Sequence, residues 1–236
     1  MDKLDYLIDY LLKESGRTNL NYSNRDKKSL YRALVNIRQA KPISEEFLKI
    51  EDNYLQEELK SKNITNVEDI RTIKEQYQNC NIVNTDKICL WQGDITKLKI
   101  AFAGVRLRLA CNEIMKNLNY NLETGKAIIT NGYNLPSKYV IQTVGPIIEN
   151  KVVENKKEEL ANCYKNSLKL AIDNGIRTIA FPCISTGVFR FPKELASIIA
   201  LKTVDELITS YKDKIDKVVF NLWSDEDVKI YEKNIK

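Results

Sequence analysis

The 236-residue chain contains no histidine, and that absence excludes more chemistry than any other feature of its composition. Ser-His-Asp and Cys-His nucleophile systems are ruled out, as are H-E-x-x-H and every other histidine-ligated metal site. Any reaction must use carboxylates, hydroxyls, amides, backbone groups or the ligand itself. No apolar run reaches the ~20 residues of a membrane span, and the acidic start MDKLDYLIDYLLKE lacks the character of a signal peptide. No C-x-x-C occurs. The five cysteines (Cys80, Cys89, Cys111, Cys163 and Cys183) are odd in number and far apart. A disulfide framework or zinc knuckle is therefore not expected, and a reduced, cytoplasmic protein is. The formal charge of +5 is spread over scattered lysines, without interleaved aromatics. That tolerates an anionic ligand but gives no nucleic-acid footprint.

What is present divides near residue 80. With 43% hydrophobic residues, the chain can bury one full core and a smaller accessory one. Residues 1–80 carry apolar positions at helical spacing: Leu4, Leu7, Ile8, Leu11 and Leu12, then Leu30, Leu34 and Ile37. Ser44 is placed to cap a third helix bearing Phe47, Leu48, Leu55 and Leu59. Such stripes are far more often packing surfaces than functional ones, so this part reads as a helical extension.

Residues 81–236 alternate strands with helices. KICLWQGD (87–94), KAIITNGY (126–133), KYVIQTVG (138–145), IRTIAFPCI (176–184) and KVVFNLW (217–223) read as strands. Helices are expected over 157–174, ending at Asn174-Gly175, and over 193–211 and 225–234. The alternation predicts a three-layer α/β/α domain with a mixed, mostly parallel sheet. Ligands of such sheets bind beyond the C-terminal strand ends.

CISTGVFRFP (183–192) lies at one such end, ahead of a helix beginning near Pro192. Gly187 allows close backbone approach, and Ser185, Thr186 and successive N–H groups can face a phosphate, helped by the following helix N-terminus. A tight connection whose Ser and Thr only satisfy nearby backbone explains these residues equally well.

Four stretches together change that balance: LWQGDITKLK (90–99), NLPSKYVIQTVGP (134–146), ISTGVFRFP (184–192) and NLWSDEDVKIYE (221–232). In order and spacing they resemble a macrodomain. With LDYLIDYLLKE and SLYRALVNIRQAKPISEEFLKIEDNYLQEELKSKNI upstream, the whole is similar to the zinc-containing bacterial protein ADP-ribose hydrolases. The resemblance implies binding of ADP-ribose or ADP-ribosylated protein and removal of ADP-ribose from it. It also implies a sirtuin-type transferase and a carrier protein as partners; the scattered charge and short apolar runs predict no nucleic acid or membrane. It further implies that Asp94 accepts from the adenine amino group, with the Ile95 backbone on the same ring. Ser185, Thr186, Gly187, Val188 and Phe189 would wrap the diphosphate, with Phe189 near the distal ribose. Trp223 takes the adenine-stacking position, and Gly145-Pro146 shapes the facing wall. Simpler roles stay open: a turn or cap for Asp94, core or rim packing for Trp223, an ordinary turn for Gly145-Pro146.

One join departs from the family pattern. Lys99-Ile100 runs directly into Ala101-Phe102. Family members have there an apolar strand ending in an Asn-rich segment close to V-D-A-I-V-N-A-A-N, then a loop with Cys, His and Cys zinc ligands. Cys111 lies in the helix past the join and does not replace them. Gln142 stands where the family commonly has histidine. The resemblance therefore implies no zinc on this chain, no assignable catalytic residue, weak or lost hydrolysis, and exposed strand edges where the segment is missing. Three origins fit the join: a natural truncation, an excised loop, and disordered residues left out of the chain as written. A non-catalytic ADP-ribose reader and a fold-only interaction domain are the alternatives to a hydrolase.

Overall fold

The computed structural model describes residues 2–16, 27–37, 43–61, 82–84, 88–92, 103–135 and 137–235. Asp94, Ile95 and the Ile100–Ala101 join lie outside the described residues. The chain forms two compact units, each assembled from separate stretches. One holds residues 1–76, 96–120 and 130–140; the other holds 77–95, 121–129 and 141–236.

The first unit is built on helices α1 (Lys3–Glu14), α2 (Lys27–Ile37), α3 (Glu45–Ser61) and α4 (Gly104–Asn117). The α1 and α3 stripes and Leu34 of α2 pack as their spacing predicts, while the Ile37 side chain lies outside what is described. Leu4, Leu7, Ile8 and Leu11 of α1 meet Leu34 of α2, Phe47, Leu48 and Leu55 of α3, and Val105 of α4. Ser44 caps α3, its hydroxyl accepting from the Phe47 N–H at 3.2 Å.

In the middle of this apolar cluster sits a carboxyl group. Glu51 is fully buried; it accepts from the Val105 N–H at 3.0 Å and from the Tyr31 hydroxyl. Position 103 is alanine, which cannot cap α4, so a side chain from α3 supplies the acceptor instead. Burial pushes the Glu51 carboxyl up to about 7, overcoming its two hydrogen bonds and the nearby Arg106. Beside it, Asp52 accepts from Arg106 at 3.1 Å and from the Asn134 amide at 2.8 Å, and Gln56 donates to Asn134 at 3.3 Å.

The second unit is organised by a four-stranded sheet of β1 (Ile82–Asn84), β2 (Ile88–Gln92), β6 (Lys217–Leu222) and β5 (Thr178–Pro182), in that order. β1 is antiparallel to β2, whereas β2, β6 and β5 run parallel. Ile179 and Phe181 of β5 and Val218, Phe220 and Leu222 of β6 face α5 (Glu154–Asp173), α6 (Lys193–Ser210) and α7 (Asp225–Asn234). Tyr164, Phe181 and Phe220 form an aromatic cluster there, with ring centroids 5.1–6.1 Å apart. Thr178, Ala180 and Pro182, which alternate to the other face, are exposed.

β3 (Ala127–Asn131) and β4 (Tyr139–Thr143) pair as a separate two-stranded sheet. The sheet order ends at β5, which pairs with β6 alone among the described residues. No described helix is long and apolar enough to cross a membrane.

Candidate functional site

The sheet register decides which loops share an end. Gln92 lies opposite Leu222, and Asn221 lies opposite both Trp91 and Pro182. The three parallel strands therefore stop together, and the segments after Gln92, Leu222 and Pro182 leave from one edge. The segment after Gln92 lies outside the described residues. The other two carry the predicted residues: Trp223 follows β6, and the bend at 183–191 follows β5.

Local hydrogen bonds give that bend its shape. Phe191 N–H donates to the Ser185 carbonyl and Arg190 N–H to the Gly187 carbonyl, both at 2.9 Å. The Thr186 hydroxyl donates to the Cys183 carbonyl at 3.0 Å. Ile184 N–H reaches the Tyr164 hydroxyl at 3.3 Å, and Ile148 N–H ties down the Phe189 carbonyl at 2.9 Å. The amides of Ser185, Gly187, Val188 and Phe189 find no acceptor among the described residues. Four donors in five residues thus remain open to a ligand. Backbone N–H groups arranged this way in a turn form a concavity suited to anions.

Ser185 and Thr186, alike in the sequence, part company here. Thr186 shapes the loop. The Ser185 hydroxyl is buried without a hydrogen-bond partner among the described residues, and its backbone is left-handed at φ +64°. Gly145 accounts for its position. A Cβ at Gly145 would come within 2.1 Å of Ser185 Oγ and 2.9 Å of Ile184 Cγ2, so only glycine permits this approach. Gly187 is the reverse case: a Cβ there would meet nothing within 4 Å. Nothing among the described residues plugs the bend, and Val188 beside it is 91% exposed.

Trp223 is 61% exposed, which removes core packing as its explanation. Ser224 and Asp227, immediately after it, form a capping box that fixes the start of α7. At α6 no side chain caps the N-terminus that follows the bend. Burial, and then the charge of Asp227, push the Cys183 thiol up to about 12. It is a neutral thiol at physiological pH, not a nucleophile.

Sequence reasoning noted Gly145-Pro146 as a wall but not the contact with Ser185, because the pair is 40 residues apart in the chain. The left-handed φ of +59° at Arg190 is likewise invisible in the sequence, because arginine does not favour that conformation.

Parallel strands ending together, with an amide-lined bend after one and an exposed indole after another, mark the strand end at which α/β domains bind their ligands. A family model described as "Macro domain" matches residues 79–200. The protein-ADP-ribose hydrolase of Treponema medium is 37% identical over 262 residues, taking in 97% of this chain and 96% of that protein. The Oceanobacillus iheyensis macrodomain solved with ADP aligns at a TM-score of 0.58 and 34% identity, over 66% of this chain and 94% of its own. A Trypanosoma brucei macrodomain in complex with ADP-ribose aligns at 0.59 and 25% identity, over 86% and 94%. The chain belongs to the macrodomain family.

Proposed function

We propose that this protein binds ADP-ribose at the C-terminal edge of its parallel strands, as a member of the protein ADP-ribosyl hydrolase branch of the family. The open amides of Ser185, Gly187, Val188 and Phe189 are the observation that carries this reading. Diphosphate oxygens accept from them, Phe189 lies toward the distal ribose, and Trp223 stacks on adenine. Asp94 and Ile95 complete the adenine contacts. The relatives named for ADP-ribose hydrolysis, and the two solved with ADP and ADP-ribose, support that ligand.

Catalysis is the part this chain is least equipped for. The Cys, His and Cys set implied by the zinc-containing family cannot form on this chain, because the sequence lacks histidine. Among the described residues, no group of three His, Cys, Asp or Glu could hold a metal. No metal-assisted step therefore enters the proposal, and hydrolysis is weak or lost. The alignment with the Treponema medium protein runs over 262 residues, more than the 236 of this chain, so that protein has residues without a counterpart here. Together with the sheet order ending at β5, this supports a segment missing at the Ile100–Ala101 join. Residues 1–80 act as the helical extension of a macrodomain at 81–236. Cys111, Cys163 and Cys183 form no disulfide, which fits the expected reducing, cytoplasmic setting. A sirtuin-type transferase and a carrier protein are the proposed partners.

Calorimetric titration with ADP-ribose tests the site, using the wild type beside Gly187→Glu. Open space around Gly187 lets the variant fold while setting a carboxylate among the anion-seeking amides. Binding is expected to fall at least 100-fold, about the cost of opposing charges at close range in a partly desolvated site. Equal affinity for both proteins overturns the site, and no binding by the wild type leaves a fold-only domain. Release of ADP-ribose from a modified carrier protein, with and without zinc, separates hydrolase from reader.

A further inference from the structure

The bend contains a second left-handed residue that its hydrogen bonds do not require to be charged. Arg190 has φ +59°, a conformation disfavoured for L-residues other than asparagine and aspartate. It is exposed, and its guanidinium makes no hydrogen bond or ion pair with the described residues. It is also the single charge between Arg177 and Lys193 in the chain. Both of those flanking cations are paired: Arg177 with Asp216 at 2.7 Å, Lys193 with Asp227 at 3.0 Å. Arg190 closes the Gly187 turn through its own N–H, and so stands on the same small loop as the open amides. Glycine or asparagine would hold that turn with less strain. The turn needs the left-handed backbone but not an arginine to supply it, and a residue that carries such strain where glycine would not is found where its side chain is needed.

We infer that Arg190 is a specificity-determining cation that pairs with the diphosphate of the ligand and sets the preference for anionic over uncharged adenine compounds. This rests on the ADP-ribose reading above. The amides fix where the phosphates lie, and the guanidinium supplies the full charge that neutral donors lack.

The test sets two readouts against each other in Arg190→Gly and Arg190→Asn. Relief of strain is expected to raise the melting temperature, by roughly 2 °C for a chain of this size. Affinity for ADP-ribose is expected to drop about tenfold, with a weaker dependence on salt, while adenosine binds as it does to the wild type. A purely structural arginine gives the opposite sign in melting and no change in salt dependence. Unchanged ADP-ribose affinity in both variants overturns the inference, as does an equal loss for adenosine. A wild type that takes no ADP-ribose overturns the reading beneath it, and this inference with it. A wild type that binds, beside variants that bind equally, overturns this inference alone.

Discussion

The N-terminus of α4 and the bend after β5 pose the same problem, backbone amides with no acceptor in their own element, and the molecule answers it in opposite ways. At α4 the acceptor is internal. Glu51 reaches Val105 across the helix packing and is buried for it, with its carboxyl pushed up to about 7. At the bend four amides meet no acceptor among the described residues, and Ser185 and Arg190 are strained. An internal acceptor makes a fold; a bend whose amides lack one takes its acceptor from the ligand under the function proposed above, and the stability it costs is then returned on binding.

The sharpest way to break the comparison is through Glu51. Its folded pKa lies above its unfolded one, so the folded state holds the proton more tightly. Stability is then lost as pH rises from about 4.5 through about 7, and stays lower above that. Glu51→Gln keeps an acceptor for Val105 but cannot ionise. It is expected to match the wild type in denaturant unfolding at pH 4 and to exceed it at pH 8 by up to about 3 kcal/mol. A constant offset at both pH values would mean that the carboxyl is not the titrating group.

Gly145→Ala tests the other side. Its methyl group has no room against Ser185 and Ile184, so a loss of about 1–3 kcal/mol in stability is expected. ADP-ribose affinity should fall along with it as the bend shifts. Thermal melting and calorimetry on the same protein decide this. The smallest effect belongs to Trp223→Ala. Because the indole is mostly exposed, melting should hardly move, while adenine stacking worth about 1–2 kcal/mol is lost from ADP-ribose binding. A variant that melts lower without losing affinity would return Trp223 to a packing role.

Much of the fold was legible. The strands at 88–92, 127–131, 139–143, 178–182 and 217–222 all fall inside the predicted stretches, and α6 and α7 end within a residue of expectation. α5 begins at Glu154, three residues earlier than its apolar periodicity indicated. Its first turn is held by Lys157–Glu154 and Lys156–Glu159 ion pairs, which leave no hydrophobic trace. β1, three residues long, is too short to alternate and exists through its pairing with β2. Glu51 did leave a signal: it falls at helical spacing within the stripe of Phe47, Leu48 and Leu55, a charge on a buried face. At the site, Gly187 and Trp223 could be named from motif and strand ends. Asp94 and Ile95 lie outside the described residues.

By itself the sequence determined the element types, the helical character before residue 80, the loss of all histidine chemistry, and which strand end carries small residues and an aromatic. Those properties are local, set by periodicity, side-chain chemistry and turn propensity within a few residues. Only the tertiary structure decided that Gly145 backs Ser185, that Glu51 caps a distant helix, and that four amides in one bend find no acceptor among the described residues. Each depends on which groups far apart in the chain come within hydrogen-bonding or van der Waals range, and no spacing along the chain encodes that.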